Sequence, residues 1–154
     1  MHEGAPARKT FANMPPATRV IISEAVTRIS SRPWSRGCNA REALDSIYKL
    51  ISLSRQQLPM LYNQETWLVV VAWINQCCPF LAKWHHRVKA NDYLRPQGLR
   101  SEDEGEESSE FLNDLKSLQK DTTWMIAAIL NDYGFSDSDI SGLLPLYRRL
   151  RTEE

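Results

Sequence analysis

Trp67-Leu68-Val69-Val70-Val71-Ala72-Trp73-Ile74 is the longest unbroken apolar run in the chain, and its reading decides the fold. Eight residues fall well short of the about 20 that a bilayer-spanning helix needs, so no membrane span is expected. Asn63, just ahead of the run, is an N-cap residue type whose side chain can accept a hydrogen bond from an otherwise unpaired backbone N–H. A helix starting there is apolar on nearly every face from Trp67 to Ile74, which predicts a central helix buried on most sides. Pro79 is expected to end it and to restart the chain into a fourth helix over about 80–93.

Outward from this core helix the chain is punctuated by prolines and cap residues at helical intervals, with no alternating stretch that would predict a sheet. Pro15-Pro16 opens a first helix with Val20, Ile22, Ala25, Val26 and Ile29 on one stripe, and Pro33 stops it. Asn39 and Glu42 have capping-box spacing, followed by Leu44, Ile47, Tyr48 and Ile51 up to about Gln57. In the C-terminal third, Phe111, Leu115, Leu118, Thr122, Met125, Ile126, Ile129 and Tyr133 repeat at helical spacing, with a bend expected around Lys120–Thr123. Gly134 supplies the C-cap. Ser136 with Asp139 predicts a fresh N-cap, and Leu146, Tyr147 and Leu150 form a last short stripe. The expectation is all-α: a single domain over 15–151, of six to seven helices around one core, with a flexible arm at 1–14.

Composition fits that class. The 154 residues are 42% hydrophobic with no net charge, ordinary for one folded domain. The N-terminus has no apolar stretch of the kind a secretory signal carries. Three cysteines, two of them adjacent, make a poor disulfide framework and fit a reducing compartment. The zero net charge conceals a split, since residues 1–100 carry +8 and residues 101–154 carry −8. Much of the acid lies in Ser101-Glu102-Asp103-Glu104-Gly105-Glu106-Glu107-Ser108-Ser109-Glu110. Like-charge repulsion and the lack of apolar anchors predict an acidic disordered loop over about 99–109.

No constellation of catalytic residues emerges. Cys77, Cys78, His85 and His86 are zinc-ligand types, but adjacent helical residues point about 100° apart and do not converge on one ion. There is no phosphate-cradling glycine loop and no nucleophile–base set, so neither an enzyme nor a cofactor is expected. Ile129–Leu143 has the spacing of a helix-turn-helix, yet Asp137 and Asp139 would face and repel phosphate. Arg28, Arg32, Arg36, Lys83, Arg87 and Lys89 form a basic surface, suited either to weak, salt-sensitive RNA contact or simply to solvation. Among the tryptophans, Trp67, Trp73, Trp84 and Trp124 have helical apolar neighbours and are expected in the core. Trp34 stands in a Pro/Arg loop and is either packed or an exposed anchor for a partner.

The C-terminal third, LQKDTTWMIAAILNDYGFSDSDISGLLPLYRRL, resembles the end of the C accessory proteins of paramyxoviruses, above all the morbillivirus group and its relatives in shrews. The similarity is carried by Leu118, Trp124, Ile126, Ala128, Leu130, Leu143, Leu144, Pro145 and Leu146, with a fainter likeness over Trp67–Leu81. It implies a non-enzymatic virulence factor that acts in the host cell cytoplasm, with nuclear shuttling open. Such a factor binds host innate-immune signalling proteins to antagonise interferon responses, and binds the viral polymerase or nucleocapsid complex to regulate viral RNA synthesis. On the residues themselves, Leu146, Tyr147 and Leu150, flanked by Arg148, Arg149 and Arg151, either dock on a partner or pack back as the last core helix. The competing expectation is a helical RNA-associated regulator using the basic surface of residues 1–100.

Overall fold

A computed structural model of the chain describes residues 13–30, 40–94 and 104–153. Among them are six α-helices and no strand: α1 (Pro16–Ala25), α2 (Ala40–Gln57), α3 (Gln64–Leu94), α4 (Glu104–Asp132), α5 (Asp137–Leu143) and α6 (Pro145–Glu153). A π-helical turn, Val26–Ser30, prolongs α1, and a 3-10 turn, Leu58–Met60, follows α2. The fold is all-α. The long α3 packs on α2 along one side and on α4 along another, while α4 also receives α1 with its π turn, α5 and α6. The core is one cluster that draws Ile21 and Ile22 from α1, Ile47 and Leu50 from α2, and Trp73 and Trp84 from α3. From α4 onward it takes Leu115, Ile126, Leu130, Ile140 and Leu144.

The caps form where the sequence places them. Asn63 Oδ1 accepts from the backbone N–H of Glu65 at 2.9 Å and of Thr66 at 3.2 Å, satisfying two of the unpaired donors at the start of α3. Gly134 has a φ of 93°, a left-handed conformation that a side chain disfavours. Ser136 and Asp139 form a reciprocal capping box at α5. The Asn39 cap and most of the 1–14 arm lie outside the described residues, as do 99–103. Met14, counted with the arm, is a buried member of the core.

Five expectations require correction. The chain does not restart at Pro79: α3 runs through it as one helix of 31 residues. Proline removes the hydrogen bond to the carbonyl four residues back; that carbonyl belongs to Asn75, and both residues are exposed, so water can meet the freed group. The acidic segment is helical from Glu104 rather than looped. Acidic residues suit the positive end of a helix dipole, and Glu110 has two cationic partners on α3. Of the α1 stripe, Ile22 and Ala25 are buried and Val26 packs against the core as expected, but Val20 is exposed, and Ala17, Thr18 and Ile21 complete the inward face instead. The apolar run of α3 is only half covered: Val70, Trp73 and Ile74 are buried, but Trp67 and Leu68 are exposed, and so is Tyr48 of α2. The bend expected near Lys120 does not interrupt α4, where Thr122 and Thr123 donate to the carbonyls of Leu118 (2.8 Å) and Gln119 (2.7 Å) within the same helix.

Candidate functional site

The opposite charges of the two halves of the chain meet across the α3–α4 seam. Lys83 Nζ lies 2.6 Å from Glu110 Oε2 and 2.7 Å from Asp114 Oδ2, and Arg87 Nη1 lies 3.3 Å from Glu110 Oε1. Trp84, between the two cations in sequence, is buried. Its Nε1–H donates to Asp114 Oδ2 at 2.8 Å, and its ring meets Phe111 edge-on with centroids 5.1 Å apart. Lys83 and Arg87 both lie over the Trp84 ring, at 5.2 and 5.0 Å. Residues at i, i+1 and i+4 on α3 thus grip residues at i, i+1 and i+4 on α4, with aromatic packing beneath and ion pairs at the rim.

The hydrogen bond from Lys83 holds the Glu110 carboxyl below its ordinary value. Burial would raise Asp114, but hydrogen bonds from Lys83 and Trp84 outweigh it and hold this carboxyl low as well. Groups whose folded values are depressed stabilise the fold above the unfolded carboxylate range and lose that contribution as pH falls through the folded values. Denaturant midpoints should therefore fall modestly below about pH 4, modestly because solvent screens these partly exposed pairs, and Lys83→Gln should flatten the fall; an unchanged acid limb in that variant would contradict the clamp. Asp121, further along the same seam, behaves oppositely, because burial raises its carboxyl. Its charge is a cost at neutral pH, so Asp121→Asn is expected to raise the midpoint there, as read by a chemical melt at pH 7.

This clamp redefines the basic surface. Lys83 and Arg87 are engaged with carboxylates, and Arg28 pairs with Glu24 at 2.8 Å and reaches Ser46 Oγ at 3.3 Å. Arg32 and Arg36 lie outside the described residues, as does the side chain of Lys89 on α3. The cysteines and histidines do not gather: among the described residues no group of three or more His, Cys, Asp or Glu is placed to hold a metal ion. Cys77 is buried and its thiol is pushed up strongly by that burial.

The C-terminal stripe is divided. Tyr147 is a core residue at 4% exposure, so of the two alternatives for this stripe the ring takes the packed one and is not available as a docking anchor. Its ring meets Trp124 edge-on at 5.5 Å, and its hydroxyl donates to Asp137 Oδ1 at 2.9 Å. Burial, followed by that bond to Asp137, raises the phenol. Arg151 pairs with Asp137 at 3.1 Å and covers the Tyr147 ring. Leu146 and Leu150 are half-buried, and only Arg148 and Arg149 of the six residues have exposed side chains not used in these contacts. Trp34 lies outside the described residues.

Among the described residues, one run of exposed apolar side chains was not marked by the sequence. Met60 (56% exposed), Tyr62 (84%), Trp67 (39%) and Leu68 (51%) fall within nine residues, from the turn after α2 to the second turn of α3. Single exposed apolar residues are common, but this local group includes a Trp and a Tyr, the side chains that most often anchor protein interfaces. Asn63 caps α3 between them and fixes their backbone. The one signal in the sequence was the unbroken run itself, since a helix that is apolar all round and packs mainly on α2 and α4 leaves part of its surface uncovered.

No protein family, curated protein or solved structure matches the chain. Among the described residues, no helix is long and apolar enough to cross a membrane.

Proposed function

We propose that this chain is a non-enzymatic accessory protein of the paramyxovirus C type, which acts by binding proteins in the cytoplasm of the infected cell. Its partners are host signalling proteins of the interferon response and the viral polymerase or nucleocapsid complex. The observation that carries the reading is the exposed Met60, Tyr62, Trp67 and Leu68 group, an anchor-rich surface held on a capped helix end. The family resemblance of the C-terminal third supplies the class of partner.

The reading makes Trp67 and Leu68 functional and spares the fold. Trp67→Ala with Leu68→Ala should leave the helical circular dichroism close to wild type and lower the melting temperature only modestly, because Leu68 is half exposed and Trp67 is 39% exposed, outside the fully buried core where truncations cost most. The same double variant should lose most interferon antagonism in a reporter assay and most regulation of a viral minigenome. Full activity at equal expression would refute it. RNA contact is the less favoured alternative, since Arg28, Lys83 and Arg87 are already satisfied within the chain.

A further inference from the structure

A second surface, separate from the exposed aromatic group, lies between α2 and α3. Tyr48, Ile51, Ser52 and Arg55 of α2 and Cys78 and Leu81 of α3 line an open cleft of about 570 Å³. The α2 residues from 48 to 56 span about 12 Å, two turns of helix, which matches the reach of an i, i+3/i+4, i+7 anchor set laid in a groove. The floor is apolar where Ile51, Leu81 and the Cys78 sulfur meet. None of the lining residues is acidic, and the only charge is Arg55.

Arg55 is the informative group. A guanidinium carries five donors in a planar fork that fits a carboxylate. Among the described contacts Arg55 Nη2 has one acceptor, the Cys78 sulfur at 3.4 Å, and sulfur is a weak acceptor. The side chain therefore stands at the cleft rim, oriented by a weak bond that a carboxylate would readily replace. Ser52 and Gln56, beside it, add further hydrogen-bonding groups.

We infer that the α2–α3 cleft is a docking groove for an acidic amphipathic segment of a partner protein, whose apolar face covers Ile51 and Leu81 while a Glu or Asp pairs with Arg55. This deepens the protein-binding reading and rests on it. The segment is specified by charge as well as shape, so a basic amphipathic helix of the same apolar pattern is rejected.

The test is selection of a phage-displayed random peptide library on the full chain and, in parallel, on Arg55→Glu. Arg55 is exposed, so the variant should fold, which circular dichroism checks. Wild type should enrich peptides with apolar residues at helical spacing flanked by Glu or Asp, and Arg55→Glu should shift the enriched flank to Lys or Arg. A synthetic peptide of the wild-type consensus should bind Arg55→Ala about tenfold to a hundredfold more weakly, the loss expected of a hydrogen-bonded charge contact. It should also slow alkylation of Cys78 by iodoacetamide, as followed by peptide mass spectrometry. Enriched peptides that lack acid, or that are the same on Arg55→Glu, overturn the inference, as does enrichment of none. Peptides that bind Arg55→Ala normally but fail on Trp67→Ala with Leu68→Ala would remove the cleft and leave the protein-binding reading standing.

Discussion

Trp73→Ala should cost ~3–5 kcal/mol of unfolding free energy, the usual range for removing a buried Trp. The indole lies in the first third of α3 at 1% exposure, and its Nε1–H donates to Thr122 Oγ1 at 2.9 Å across to α4. That hydroxyl in turn donates to the Leu118 carbonyl, so Trp73 both fills the core and closes a polar chain between the two longest helices. Domains of this size are stable by only about 5–15 kcal/mol, and the variant should show an early denaturant midpoint or no cooperative transition. Trp73→Phe retains most of the volume and should cost clearly less, since Thr122 keeps its bond to Leu118. A Trp73→Ala midpoint close to wild type would mean that α3 is not the centre of the core.

Tyr147→Ala should be nearly as damaging, again ~3–5 kcal/mol by analogy with other buried aromatic truncations. The substitution empties the space against Trp124 and removes the donor to Asp137, the residue at the first position of α5. It also frees Arg151 from the ring it covers. Tyr147→Phe keeps the edge-on contact and should lose at most about 1.5–3 kcal/mol, the range for a hydrogen bond to a charged group. Arg148→Ala and Arg149→Ala, with exposed side chains, should change stability by less than about 0.5 kcal/mol. Loss of activity in Tyr147→Ala would therefore report unfolding of the α4–α6 corner, whereas the arginine variants test the surface of α6. Equal melts for Tyr147→Ala and wild type would contradict the placement of this ring.

How much of this was readable in advance depends on whether a local rule or a tertiary one decided each feature. Asn63, Gly134 and the Ser136–Asp139 box act within a few residues, and each forms as its residue type requires. The heptad-like series from Phe111 to Ile129 is long enough for the period to be unambiguous, and it is buried as expected. The failures share a different cause. Pro79 looked like a terminator because the rule for proline concerns the lost hydrogen bond, and only the orientation of the helix shows that the freed carbonyl belongs to an exposed residue. The acidic segment looked disordered because the partners of its last residue, Glu110, are Lys83 and Arg87, more than twenty residues away. Trp67 was expected in the core and is exposed, whereas the Tyr147 stripe, open to docking or packing, is packed: each is an aromatic on an apolar stripe, and which stripe is covered depends on how many helices surround it.

The same distinction applies to the candidate surfaces. The +8 and −8 halves of the chain suggested a basic face free for a polyanion, yet Lys83 and Arg87 are drawn into pairs with Glu110 and Asp114. These pairs are partly exposed and add orientation more than stability. The buried Trp84–Phe111 contact beneath them carries the packing. What remains outward is an apolar, aromatic group at one end of the α2–α3 pair and a cleft along its side. Both suit a protein partner better than a nucleic acid.

The central claim, that the chain works by binding proteins through the Met60–Leu68 surface, is tested most directly by affinity capture from infected cells. Tagged wild type and the Trp67→Ala, Leu68→Ala variant are compared with and without nuclease, and the captured proteins are read by mass spectrometry. The account predicts interferon-pathway proteins or viral polymerase components that survive nuclease with wild type and are lost with the variant. Partners that vanish on nuclease treatment, or that the variant retains in full, would contradict it.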